Sequence, residues 1–314
     1  MTMETDRLME RRQARRSALM WKVGAVLAIT VLLALVVSGR ALDGLATGQG
    51  AGAGLFDGEH IARVHVEGII VEDRWRDELL QQLKDDDKVK GVIVYINSPG
   101  GTVVGGENLY LELGALKAEK PVAAVMGSTA TSAAYMTAIA TDRIFAREGT
   151  LTGSIGVLMQ TADFTGMMDK LGVKPEIIKS GDLKAQPNPM EPLSDKARAH
   201  VQGVVMDMHD LFVTMVADSR AMEKERVLAL ADGRVFTGRS ALKEGLVDAI
   251  GGERQAVQWL ESDKNVPADL PVVKHVPDYP KPTLVKRLLG AFGKALVSER
   301  LTLDGLVSVW HPGL

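Results

Sequence analysis

Residues 91–101 read GVIVYINSPGG and residues 121–135 read PVAAVMGSTATSAAY. Each begins as a short apolar run and ends in small, turn-forming residues, the pattern of a buried strand running into a loop. Neither VIVYI nor VAAVM alternates with polar residues, so both faces of these strands need covering, as in a parallel sheet between helical layers. Outward from this pair the pattern predicts a strand over 61–67, a helix over 74–84, a helix over 103–118, a helix over 132–140 and a strand over 143–146. Strands separated by helices of this length imply right-handed βαβ crossovers and an α/β fold. Beyond lie a helix over 164–171, a strand over 174–179 (KPEIIK), a Pro-rich loop at 187–192 and a turn with a short helix in 232–250. A long helix runs from Ser194 to Arg220, with Ser194 as its N-cap. Val201, Val204, Val205, Met208, Leu211, Phe212, Met215 and Val216 recur along it at helical spacing, which predicts a buried face. No internal repeat is visible.

The 314 residues carry a net charge of −3, which gives no electrostatic reason to expect a nucleic-acid partner. There is no cysteine, so disulfides, thiolate nucleophiles and thiolate metal sites are excluded. His60, His65, His200, His209, His275 and His311 show no metal-ligand spacing, and no phosphate-binding GxxxxGK[ST] loop occurs. Neither a metal nor another cofactor is expected. Chemistry must come from Ser, Lys, His or carboxylates.

The N-terminal region has a different character. Val23–Ser38 reads VGAVLAITVLLALVVS, and counted back to Ala18, with Lys22 snorkelling, it spans about 31 Å as a helix, enough for a hydrocarbon core. Arg7, Arg11, Arg12, Arg15, Arg16 and Lys22 precede the apolar core, while Arg40 is the basic residue just after it. That asymmetry keeps the N-terminus cytoplasmic and places the remainder outside. A cleaved signal peptide is the competing reading. The expected organisation is a basic leader at 1–17, a transmembrane anchor at 18–39, a Gly/Ala-rich tether at 40–59, a catalytic domain at 60–260 and a tail at 261–314. Within the tail, LVKRLLGAFGKALV at 284–297 is an amphipathic helix suited to a membrane surface, a subunit contact or its own domain.

In open α/β sheets the ligand crevice lies beyond the carboxyl ends of the strands, where both NSPGG and the Ser132 region fall. Ser132 begins a helix, so its hydroxyl faces the crevice and the helix dipole favours developing negative charge; it also suits a plain N-cap. A serine hydroxyl needs a base, and a lysine serves only while neutral, away from counter-ions. By itself Lys184 reads as an exposed loop residue paired with Asp182, NSPGG as an ordinary turn, and Ser154 equally well as a loop serine bonded to its own backbone. A Ser-His-Asp arrangement through His200 or His209 is a further option.

Taken together, NSPGG at 97–101, ATSAAY at 130–135, LTGSIGV at 151–157 and KSGDLK at 179–184 resemble, in this order, the SppA-type signal peptide peptidases. These are membrane-anchored serine/lysine proteases related in fold to the Clp proteases and crotonases. The resemblance covers about residues 60–260 and implies a Clp protease/crotonase-like repeated β-β-α core, preceded here by one transmembrane helix. It implies Ser132 as nucleophile, Lys184 as general base and Ser154 as the residue orienting that lysine. Gly100 or Gly101, together with Ala133, would supply the oxyanion N–H groups. Where the family has Gly-Gly after the serine, this chain has Ala133-Ala134. The implied substrates are hydrophobic peptides such as cleaved signal peptides; the implied partners are the lipid bilayer and further copies of the chain. The competing functions are a crotonase-like acyl-CoA enzyme and a catalytically silent membrane scaffold.

Overall fold

A computed structural model describes residues 58–279 and the backbone of 306–309. All of these fall in the second of the two units into which the chain divides, Phe56–Leu314. The expected leader, anchor and 284–297 helix, and the tether up to residue 57, lie outside the described residues. Among the described residues no helix is long and apolar enough to cross a membrane.

The first half builds the predicted alternation: β1 (His60–Ile70), α1 (Arg74–Asp85), β2 (Val89–Thr102), α2 (Val103–Glu119), β3 (Val122–Thr131), α3 (Ala133–Ile139) and β4 (Arg143–Ala146). Then come β5 (Leu151–Gly153), β6 (Leu158–Met159), α4 (Thr165–Lys170), α5 (Asp195–Arg220) and α6 (Lys224–Leu228). The remaining elements are β7 (Val235–Thr237), α7 (Gly238–Lys243), β8 (Ala249–Ile250), α8 (Glu253–Asp263), β9 (Val272–Lys274) and β10 (Leu306–Val309). Strands β9, β1, β2, β3, β4 and β8 lie side by side, all parallel. Both faces of the central strands are buried. Val64, Val94 and Ala124 pack with Leu83, Leu113 and Phe212 from the helices. Their odd-numbered neighbours Ile61, Ile93 and Val125 pack with Phe145, Trp259 and Leu260 on the other face. This is the α/β sheet, covered on both faces, that VIVYI and VAAVM imply.

The sheet forks at its carboxyl end. β2 and β3 pair from Val92↔Val122 to Ser98↔Ala130. Beyond that point β3 continues against β5, with which it is parallel, and β5 continues antiparallel to β7. β2 runs on along β1, pairing Gly100 with Ile69 and Gly101 with Ile70. On the edge that β3 vacates, β2 receives β10, antiparallel, with Val307↔Thr102 and Val309↔Gly100. β10 also pairs antiparallel with β6, at Val307↔Leu158.

Two expectations need correcting. NSPGG is not a free loop: it forms the end of β2, because strands on both edges supply partners that no local reading reveals. KPEIIK at 174–179 is not a strand; it runs irregularly, with Ile178 94% exposed. Its β-forming residues meet no sheet edge, and an unpaired strand does not hold itself in water. Helix α5 matches its prediction, with the Ser194 hydroxyl accepting from the Ala197 N–H. Its apolar stripe is buried only in the second half, at Phe212, Val213, Met215 and Val216.

Candidate active site

Ser132 stands immediately after β3, at the fork, and is 1% exposed. Its backbone adopts φ 59°, ψ −123°, a left-handed conformation unfavourable for any residue with a Cβ. Such a turn between strand and helix lifts a side chain out of line with both, the geometry of a nucleophile elbow. Several contacts hold it there. The Ser132 N–H donates to the Gly153 carbonyl at 2.8 Å, and the Thr131 hydroxyl donates to the Pro99 carbonyl at 3.0 Å, tying both neighbouring strand ends to the turn. Behind it, α3 lies so close to α2 that a Cβ on Gly106 would sit 2.9 Å from the Ala133 Cβ. Further along α3, the buried Tyr135 hydroxyl donates to the Leu246 carbonyl at 2.8 Å. Burial pushes that phenol far above its ordinary pKa, so it stays a neutral donor.

The helical bonds of α3 begin with the Tyr135 and Met136 N–H groups donating to the Ser132 carbonyl. The Ala133 and Ala134 N–H groups therefore have no acceptor within the helix. Neither alanine needs a positive φ; that demand falls on Ser132. Replacing two glycines by alanines thus costs no strain here. Facing the elbow, Gly101 must lack a side chain, since a Cβ would lie 1.7 Å from the Ile70 carbonyl oxygen. Ser154, the residue immediately after β5, is buried at φ 50°, and its N–H donates to the Arg234 carbonyl at 2.8 Å. The structure thus brings Ser132, Ala133, Gly100, Gly101 and Ser154 to one end of the sheet.

Lys184, the expected base, lies between α4 and α5. It is exposed, on an irregular loop where its N–H donates to the Gly181 carbonyl at 3.0 Å. The neighbouring carboxylate is engaged elsewhere: Asp182 pairs with Lys196 at 3.2 Å. Glu191 gathers the loop instead, accepting from Lys179, Gln186 and Asn188. No described carboxylate pairs with Lys184.

A cavity of about 470 Å³ opens beside Ser154, between Val157 and Leu158 on one side and Val205, Met206 and His209 of α5 on the other. His209 donates its Nε2 proton to the Ala231 carbonyl at 2.9 Å, and His200 is exposed. Neither shows a described hydrogen bond to Ser132. Sequence reasoning missed the Thr131 hydroxyl, the Arg234 carbonyl and β10, all of which act through contacts distant in sequence and leave no local signature. Among the described residues no three His, Asp or Glu side chains are grouped to hold a metal ion.

Comparison with known proteins identifies the chain's relatives. Residues 114–267 match peptidase family S49, and residues 69–150 match the Clp protease family. A Methanocaldococcus jannaschii protein named as a protease is 32% identical over 262 residues, covering 79% of this chain and 84% of that protein. An Enterococcus faecium protein named as signal peptide peptidase SppA is 36% identical over 200 residues, 63% of this chain and 58% of its own length. The chloroplastic serine protease SPPA of Arabidopsis thaliana is 31% identical over 238 residues, 73% of this chain and 34% of that longer protein.

Proposed function

The chain belongs to peptidase family S49, with the SppA-type serine peptidases, and from that premise we propose a membrane-anchored endopeptidase that hydrolyses extended, apolar peptides through Ser132 and Lys184. In this reading Ser132 Oγ attacks the peptide carbonyl while neutral Lys184 accepts its proton and later returns it to the leaving amine. Ser154 orients the lysine through its hydroxyl, which carries no charge that would favour the ammonium. The Ala133 N–H, at the start of α3, and that of Gly101 hold the developing oxyanion, the Gly100 N–H being engaged by the Ser98 hydroxyl. Residues 18–39 serve as the anchor, with the catalytic body outside the cytoplasm, and remnants of signal peptides are the natural substrate class.

The observation that carries this reading is β10. An extended segment lies antiparallel to Gly100–Thr102 and to Leu158–Met159, in the fork that Ser132 closes. A peptide held there by main-chain hydrogen bonds, with side-chain cavities alongside, is recognised as an added strand. A crotonase-like activity has no comparable use for such a slot.

The reading also accounts for Lys184. The loop that bears it follows a segment with Phe164, Met167, Leu171, Val173 and Ile178 exposed, a series of apolar side chains suited to a contact between copies. Association of copies through this segment buries it and brings Lys184 into the desolvated surroundings a neutral amine requires.

The test is cleavage of an apolar signal-peptide substrate by the full chain in detergent, with Ser132→Ala and Lys184→Ala alongside. Each variant is expected to lose at least about 10³-fold in kcat/KM. Undiminished turnover in either removes the dyad. Mixing the two inactive variants then distinguishes dyads shared between copies, which regain activity, from dyads within one copy, which do not.

A further inference from the structure

Far from the fork, at the start of β1, two histidines meet. His60 is 3% exposed and His275 9%. Their Nε2 atoms are 2.9 Å apart, and the ring planes lie within 7° of parallel with centroids 5.1 Å apart. With the nitrogens as the nearest atoms, the rings meet edge to edge. A zinc ion needs about 2.0–2.1 Å to each nitrogen, more room than two facing nitrogens leave here. A proton fits, and the distance is that of an N–H···N hydrogen bond.

The proton positions follow from the surroundings. His60 Nδ1 lies 2.9 Å from the Gly58 carbonyl, which only accepts, so Nδ1 carries a hydrogen. In the neutral pair His60 Nε2 is therefore bare, and His275 Nε2–H donates to it. One added proton reverses the bond without breaking it: His60, now an imidazolium, donates to a bare His275 Nε2. A second proton leaves two N–H groups and two positive charges head to head. The contact thus accommodates one added proton between the rings and not two.

This contact secures a segment that little else holds. β9 pairs with β1 only at Ile61, Ala62 and Arg63. The stretch that follows adds the His275 N–H donating to the Arg63 carbonyl at 2.9 Å and the Tyr279 hydroxyl donating to Asp73. Residues 272–279 thus form a strap along the edge of β1 opposite β2. We infer that His60 and His275 are a proton-operated latch, holding this strap against β1 while the pair carries at most one added proton and releasing it when both rings are charged.

Other charges near the pair do not reverse this. Burial, then the neighbouring His60, hold His275 below its ordinary histidine value, against the opposing pull of Asp86 at the end of α1. Glu59 is paired with Lys90, and Arg63 with Glu253. A cavity of about 350 Å³ next to His275 is bordered by His65, Glu67, Asp73, Arg76, Lys274 and Tyr279, of mixed sign. The sign of the linkage is then set. The open strap binds the second proton more readily than the closed one, so closure is complete above the ordinary histidine value and is lost as pH falls through the lowered one.

Hydrogen exchange followed by mass spectrometry on the full chain tests the latch, comparing about pH 7 with about pH 4.5 after correction for intrinsic rates. In the wild type, the amides of Ile61, which bonds to the Pro271 carbonyl, and of 272–276 should exchange about tenfold faster at the lower pH while those of 92–96 stay protected. His275→Gln offers either an amide N–H or a carbonyl to His60 and cannot be charged; it should keep the strap protected at both pH values. His275→Ala should leave it open at both. The inference is overturned if His275→Gln opens over the same range as the wild type, if His275→Ala stays closed, or if 92–96 loses protection together with the strap.

Discussion

Ser132 combines burial with a backbone conformation that its side chain disfavours, and the two features have separate consequences. Strain at such a residue costs about 1–3 kcal/mol and persists only where the surroundings enforce it. Here the Gly153 carbonyl, the Thr131–Pro99 bond and the close contact of α2 with α3 enforce it. Ser132→Gly should abolish peptidase activity yet raise the unfolding free energy by about 1 kcal/mol, read from denaturant curves, since glycine accepts φ 59° without strain. A destabilised Ser132→Gly would mean that the hydroxyl's own contacts outweigh the strain. At this scale much of the candidate site was legible: Gly100, Gly101 and Ser132 are small or hydroxylated residues at the ends of apolar runs, whereas Ser154 was marked only by the family resemblance. The alanines after Ser132 were misleading, because the positive φ that glycine would serve belongs to the serine. The Thr131 hydroxyl was invisible, since nothing local distinguishes a threonine that bonds a carbonyl 32 positions away.

Among the elements, the strands that read most clearly were those buried on both faces, where helices on either side demand continuous apolar runs. Their lengths were underestimated. β2 runs through Asn97-Ser98-Pro99-Gly100-Gly101 because β1 and β10 pair with it, and such pairing is a property of the fold, not of the segment. The opposite error fell on 174–179, whose residues favour a strand but find no partner edge. β10 has a kinetic implication: a segment tethered to the same chain competes with substrate at an effective concentration in the millimolar range. A chain lacking residues 306–314 should therefore show a KM for apolar peptides lower by about tenfold, with kcat little changed. An unchanged KM in steady-state assays would mean that this strand does not occupy the substrate's place.

At the scale of the whole molecule, burial is distributed unevenly. The sheet and its helices form a closed core, whereas the stretch from Leu158 to Ile178 leaves a series of apolar side chains in water. Ile178→Glu should reduce the oligomer measured by sedimentation and, with it, the peptidase activity, while leaving the melting temperature of the core within about 2 °C, as for a surface substitution. Retention of both assembly and activity would place the subunit contact elsewhere. Sequence reading reaches this level only partly, because an apolar residue written for a neighbouring copy looks the same as one written for its own core.

The contrast between a sheltered Ser132 and a solvent-facing Lys184 carries one last implication. If the amine matures only when copies meet, a newly made chain emerges with its cutting edge sheathed. Its first encounters with unfinished membrane proteins would pass without damage, and destructive capacity would rise steeply with local abundance.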